Sequence, residues 1–290
     1  MIRMALNTSR KVAIVTGSNK GIGYAIVKGL CDKFDGVVYL TARNSERGNE
    51  AVKKLKDAGF NPLFHQLDVD NQESVNKFRD FIKNEHGGVD LLINNAAIAY
   101  NQDSKEPFSK QASDTIKTNY FGLLRVCEAF FPLLRKDARV VNVSSSAGHL
   151  ARIPSIELRA KFSDSNLTIE KLSTLMNEFV KCREEHNDTV TPFGWNDSAY
   201  VVSKVGVSAL TRIQQKEFNL TRGDLNVSVN SVHPGFVDTD MTDHQGVLTI
   251  EQGAKPILYL ALEQHGFKGE YVWCDSRVIN KFFQKCSYYW

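Results

Sequence analysis

Thr16-Gly17-Ser18-Asn19-Lys20-Gly21-Ile22-Gly23 follows the apolar run Val12-Ala13-Ile14-Val15 and opens a helical pattern carrying Ile22, Ala25, Ile26 and Leu30. Strand, glycine-rich turn and helix in that order bring backbone N–H groups and the positive end of a helix to one point, which suits a phosphate. Glycine permits φ > 0 there and lets a ligand approach the backbone, because no Cβ intervenes. The stretch points to a dinucleotide site early in the chain. A plain strand-to-helix turn is the other reading of these residues taken alone.

The same alternation continues along the chain. Val37-Val38-Tyr39-Leu40 follows the first helix, and a charged helical stretch with Ala51, Val52 and Leu55 leads to Pro62-Leu63-Phe64-His65-Gln66-Leu67. A helix through Val75, Phe78, Phe81 and Ile82 precedes a fourth strand at Val89 to Ile93. A long helical stretch centred on Ile116 to Phe131 precedes a fifth strand at Arg139 to Val143. Later come a helix from Tyr200 to Leu220, a strand at Val227 to Val232, a helix around Ile257 to Leu262 and a last strand near Tyr271-Val272-Trp273. Short apolar strands alternating with helices indicate βαβ units around a doubly wound α/β sheet of parallel strands. Residues 151–194 interrupt the rhythm. Within them Thr168 is the expected N-cap of a helix whose stripe of Ile169, Leu172, Leu175, Met176, Phe179 and Val180 packs on the body of the protein. No linker, repeat or composition shift divides the chain, so one domain over residues 1–290 is expected, with 151–194 as an insertion.

Composition narrows the function classes. With 42% apolar and 24% charged residues the chain reads as globular, and a net charge of +3 gives no reason to expect nucleic acid or an anionic membrane as partner. The basic cluster Lys53, Lys54 and Lys56 reads as a solvated helix face. Five scattered cysteines without a Cys-x-x-Cys pair, and no His-x-x-x-His, argue against a disulfide framework or a metal site. No secretory signal or membrane-length apolar run is evident, so a cytoplasmic location is expected.

The chemistry-bearing residues lie further along. A Tyr and a Lys four apart share one helix face, and a cation there favours tyrosinate, lowering the phenol pKa toward the range useful to a general acid or base. Tyr200 and Lys204 have this spacing, and so do Tyr24 and Lys28. The order of motifs separates them: Asn94-Asn95-Ala96-Ala97 and Asn142-Val143-Ser144-Ser145-Ser146 precede the Tyr200 pair, whereas the Tyr24 pair directly follows the glycine turn and reads as helix surface. His149 and His233 lie near the serines, but no Gly-x-Ser-x-Gly elbow supports a hydrolase.

In its glycine spacing and in this ordered set the chain resembles the short-chain dehydrogenase/reductase family, from about Lys11 to the last strand. The resemblance implies about seven parallel strands ordered 3-2-1-4-5-6-7. It assigns Gly17, Ser18, Asn19, Lys20, Gly21, Ile22 and Gly23 to cofactor phosphates, Asp68 and Val69 to the adenine region, and Asn95 to the cleft. Pro234, Gly235, Val237 and Thr239 fall to the segment over the nicotinamide. Ala97 stands where the family has glycine. The implied catalytic set is Asn119, Ser145, Tyr200 and Lys204. Ser145, second of three, matches the family serine that holds the substrate oxygen, with Ser144 or Ser146 as alternatives. Tyr200 is implied as the proton donor, Lys204 as the ribose contact, and Asn119 as the holder of a relay water.

An acidic residue after the second strand would bind the ribose hydroxyl of NAD, whereas arginine accommodates a 2′-phosphate. Here Arg43 ends the strand, with Arg47 beyond and Lys20 in the turn, so NADP(H) is the expected cofactor, a surface role for Arg47 being as open as a phosphate contact. The 54 residues between Ser145 and Tyr200 exceed the family's shorter form of roughly a dozen and look like those of monomeric carbonyl reductases, which implies a monomer. The expected activity is NADPH-dependent reduction of a ketone, aldehyde or quinone. A silent cofactor-binding sensor and an alcohol or steroid dehydrogenase are the rival readings. Tyr100, Trp195, His233, Phe236 and Met241 flank the active-site segments and are candidate walls for a small carbonyl substrate.

Overall fold

Alternate residues of the first strand, β1 (Lys11–Val15), serve two different apolar clusters: Ala13 and Val15 enter one, Val12 and Ile14 the other, all wholly buried. A strand covered on both faces has no polar side to present, which is why its sequence is a continuous apolar run. In the computed structural model, which describes residues 10–101 and 103–278, six further parallel strands join it. They are β2 (Gly36–Ala42), β3 (Leu63–Gln66), β4 (Val89–Asn94), β5 (Leu134–Val143), β6 (Ser228–Val232) and β7 (Tyr271–Val272). Their spatial order is β3-β2-β1-β4-β5-β6-β7, as expected. The reversal of winding between β1 and β4 opens a crevice at the C-terminal strand ends, where ligands of such sheets bind.

The helices are α1 (Gly21–Lys33), α2 (Ser45–Asp57), α3 (Gln72–His86), α4 (Phe108–Ile116), α5 (Leu123–Phe130), α6 (Ile156–Ser163), α7 (Ile169–Glu185), α8 (Ala199–Thr221) and α9 (Ile250–Leu262). Ile26 and Leu30 of α1 meet Ile257 and Leu260 of α9 in one core, and Phe78 and Ile82 of α3 meet Val126 and Phe130 of α5 in another. The long stretch through Phe131 is a helix interrupted by a π turn at Lys117–Gly122, between α4 and α5. Two boundaries differ from expectation. α9 starts at Ile250, well before Ile257, because Thr249 and Gln252 form a capping box and Pro256 is accommodated inside the helix. β5 starts at Leu134, with a register shift against β4 before the apolar run begins.

Thr168 caps α7, accepting from Lys171 N, and Leu172, Leu175, Met176 and Phe179 are buried with residues of α4 and α8. Arg183, 2% exposed in the last turns of α7, donates to the carbonyls of Asn187 and Asp197 and lies 5.1 Å over the Phe108 ring. Asp197 in turn accepts from Val190 N, Thr189 and Thr191. This knot fastens the inserted segment just before the helix that carries Tyr200.

Candidate active site

Gly17 and Gly21 adopt φ of 60° and 57°, and a Cβ on Gly17 would come within 2.8 Å of Ala96 Cα. The turn therefore requires glycine both for its backbone and for its approach to the end of β4. Thr16 Oγ1 accepts from the backbone N–H groups of Asn95 and Ala96, each at 3.0 Å, while Asn95 Nδ2 donates to the carbonyls of Thr16 and Gly17. Asn95 thus braces the turn with both amide hydrogens. Ser18 corrects an expectation: it is fully buried, its hydroxyl donates to Val15 O and accepts from Thr41 N, and its N–H donates to Thr41 O. It staples β1 to β2 beneath the turn, with no polar group left to face a phosphate.

A cleft of about 590 Å³ runs from this turn along the strand ends. Asn19, Lys20, Gly21, Ile22, Gly23, Arg43, Arg47, Asp68, Val69, Asn95, Pro234 and Thr239 line it, with Tyr200 and Lys204 also in its wall. Among the described residues no carboxylate pairs with Arg43 or Arg47. Lys20 is different: its ammonium pairs with Asp240, on the short helical turn Asp240–Thr242 that lies over the glycine turn. The partner is 220 positions away, so no local pattern in the sequence announces it. Gly235 and Val237 depart from expectation. Val237 is 2% exposed and bridges to Leu248, and a Cβ on Gly235 would strike Leu248, so both shape the covering segment and neither lines the cleft.

At the reaction end α8 presents Tyr200 and Lys204 one turn apart. Ser144 turns away, its hydroxyl 2.9 Å from Ser208 Oγ and also engaging Lys204 O, whereas Ser145 Oγ accepts from Ala147 N at 3.2 Å and acts on the Tyr200 phenol to hold its pKa down. Lys204 Nζ donates to Val143 O at 2.8 Å and lies 5.6 Å from the Tyr200 ring centre. The expected depression of the phenol does not appear in this state. Burial raises the Tyr200 pKa, offset in part by Ser145, and burial lowers that of Lys204 to about 8. Desolvation penalises both charged forms and outweighs the cation's attraction. Asn119, in the π turn, accepts from Ile98 N and donates to Ile98 O and Ser203 Oγ, and Ser203 Oγ donates to Tyr200 O. Its side chain braces the tyrosine's helix, so a relay water must use its remaining acceptor capacity or its backbone.

The pH dependence follows. Lys204 loses its charge as pH rises through about 8, and with it the support for negative charge on the Tyr200 oxygen. We expect kcat for carbonyl reduction to fall above pH 8, and a pH–rate profile flat through pH 9 counts against a charged Lys204. Folding has the opposite sign. Between pH 8 and the ordinary 10.5 the unfolded chain binds this proton and the folded chain does not, so the cost of burying the lysine is full below pH 8 and shrinks above it.

Of the candidate pocket walls, Met241 lines the cleft. Trp195 does not: it is 4% exposed, packed with Phe162 and Phe179 in the core beneath the insertion. Tyr100 donates to Asp114 at 2.6 Å, Phe236 stands half-exposed on the covering segment, and His233 is buried against Trp273.

A glycine turn at the switch point of a doubly wound sheet, opening into a cleft that also holds a Tyr–Lys pair, defines a dinucleotide-dependent oxidoreductase. A family model described as short chain dehydrogenase matches residues 11–156, and the chain belongs to that family. It is 44% identical over 265 residues to carbonyl reductase [NADPH] 1 of Rattus norvegicus, covering 91% of this chain and 95% of the relative. To the Homo sapiens carbonyl reductase [NADPH] 1 it is 43% identical over 271 residues, covering 92% and 97%. Among solved structures, salutaridine reductase from Papaver somniferum matches with a TM-score of 0.81 at 32% identity, covering 90% of this chain and 99% of that one.

Proposed function

We propose that this protein reduces the carbonyl group of small ketones, aldehydes or quinones to an alcohol at the expense of NADPH. The residues present suit that cofactor: a left-handed glycine turn for its phosphates, and two arginines, Arg43 just after β2 and Arg47 in the first turn of α2, without a carboxylate partner among the described residues. Bound NADPH supplies the hydride. The turn around Gly17 to Gly23 takes the pyrophosphate, Arg43 and Arg47 the 2′-phosphate, Asp68 and Val69 the adenine end, and Thr239 the carboxamide. Ser145 holds the substrate oxygen and Tyr200 donates its proton to that oxygen, offsetting the charge that develops there. Lys204 steadies the resulting phenolate and binds the nicotinamide ribose, and Asn119 braces the path by which the proton is replaced.

The observation that carries this reading is the continuity of one cleft from Arg43 to Tyr200 and Lys204. NADPH consumption is the test, measured against aromatic aldehydes, quinones and steroid ketones. Turnover with at least one class supports the reading, while tight NADPH binding with silence across all of them supports a sensor. The four described cysteines are free, and no helix of the described residues is long and apolar enough to cross a membrane, which favours a cytoplasmic reductase. The inserted helix α7 packs on α4 and α8 and covers them, favouring a monomer. Light scattering should return the mass of one chain, and a stable tetramer overturns this.

A further inference from the structure

The peptide unit that follows Ser145 is gripped from both sides by residues outside the serine turn. Its oxygen accepts from the Tyr271 hydroxyl at 2.6 Å, as well as from Gly148 N within the turn. Its N–H, that of Ser146, donates to His233 Nδ1 at 3.0 Å. Both side chains are buried, and both come from the far edge of the sheet: Tyr271 lies in β7, and His233 follows β6 with its own N–H donating to Val272 O. Gly235 N also approaches Nδ1, at 3.4 Å, so this nitrogen is the acceptor and the ring is the neutral tautomer protonated on Nε2. Burial holds the His233 pKa down at about 4, which keeps the acceptor available across the neutral range. Trp273 packs on the ring with centroids 4.4 Å apart.

Rotation of this one peptide unit changes ψ of Ser145 and swings the backbone that follows, whose Ala147 N–H donates to the Ser145 hydroxyl oxygen at 3.2 Å and so fixes its direction. Displacements near 1 Å at a reacting centre cost on the order of a hundredfold in rate. We propose that His233 and Tyr271 are positioning residues that clamp the Ser145–Ser146 peptide and so hold the Ser145 hydroxyl in place for the carbonyl oxygen. The proposal rests on the role given above to Ser145. It also gives His233 a function other than pocket wall.

The test is a double-mutant cycle with NADPH and an aromatic aldehyde. Tyr271→Phe should lower kcat about tenfold, with the dissociation constant for NADPH changed less than about twofold, because the loss falls on the serine and not on the cofactor cleft. In a Ser145→Ala background the same substitution should change kcat less than about twofold. Equal losses in both backgrounds overturn the proposal. A second pair decides the matter where the Ser145→Ala variant is too slow to assay. His233→Asn places a side-chain oxygen near the position of Nδ1 and should keep kcat within about threefold, while His233→Leu should lose about tenfold. Equal impairment of the two, or none in either, sinks the clamp. Hydrogen exchange of the Ser146 amide separates this failure from failure of the activity. The amide should be protected in the unaltered chain and exchange faster in His233→Leu, whether or not any carbonyl compound is turned over; fast exchange in both overturns the clamp.

Discussion

Tyr200→Phe is expected to lower kcat for carbonyl reduction about a thousandfold, within the range of 10² to 10⁴ typical of a positioned general acid, while NADPH binding persists. The substitution removes one hydroxyl from a residue whose ring packs beneath Lys204 and whose backbone is held through Ser203 and Asn119. None of those supports involves the phenolic oxygen, so α8 and the cleft wall keep their shape. What is lost is the proton that must reach the carbonyl oxygen, together with the phenol's interaction with Ser145. Stopped turnover with retained fluorescence quenching by NADPH is the expected pair of results. Turnover within tenfold of the unaltered enzyme would overturn the assignment.

The parallel sheet was legible in the sequence because strands buried on both faces leave uninterrupted apolar runs, and the glycine turn because its backbone tolerates few other residues. The strand order came from the family resemblance. Site residues in compact motifs were legible for the same reason: Tyr200 and Lys204 need only helical spacing to share a face. Contacts between distant segments were not. Nothing near Lys20 announces Asp240, and nothing near Ser145 announces Tyr271, 126 positions on. Ser18 misled in the other direction. A polar residue in a phosphate turn reads as a ligand, yet the close approach of β1 to β2 turns it inward, where burial obliges it to satisfy its hydrogen bonds with Val15 and Thr41. Trp195 misled because adjacency in sequence to the catalytic helix says nothing about which side of the chain the indole faces.

Charge reversal at Arg43 tests cofactor choice, and the geometry divides the work among three cations unequally. Lys20 already has a counter-ion in Asp240, so part of its field is neutralised and recruiting it to a phosphate means separating an existing pair. Arg43 and Arg47 line the cleft without such a partner among the described residues, and Arg43 stands at the end of β2, where the ribose of a dinucleotide meets a doubly wound sheet. A charge-assisted contact contributes about 1.5–3 kcal/mol, and reversing the charge adds repulsion to its loss. Arg43→Glu should therefore raise the Michaelis constant for NADPH about a hundredfold, while that for NADH, which lacks the 2′-phosphate, changes less than about threefold. Lys20→Ala should show the same preference at smaller amplitude, because the lysine it removes was partly neutralised. Equal increases for the two cofactors at Arg43 would mean that the side chain serves the fold of the cleft rather than the phosphate. An effect larger at Lys20 than at Arg43 would mean that the Asp240 pair opens readily and that the glycine turn, not the strand end, makes the choice.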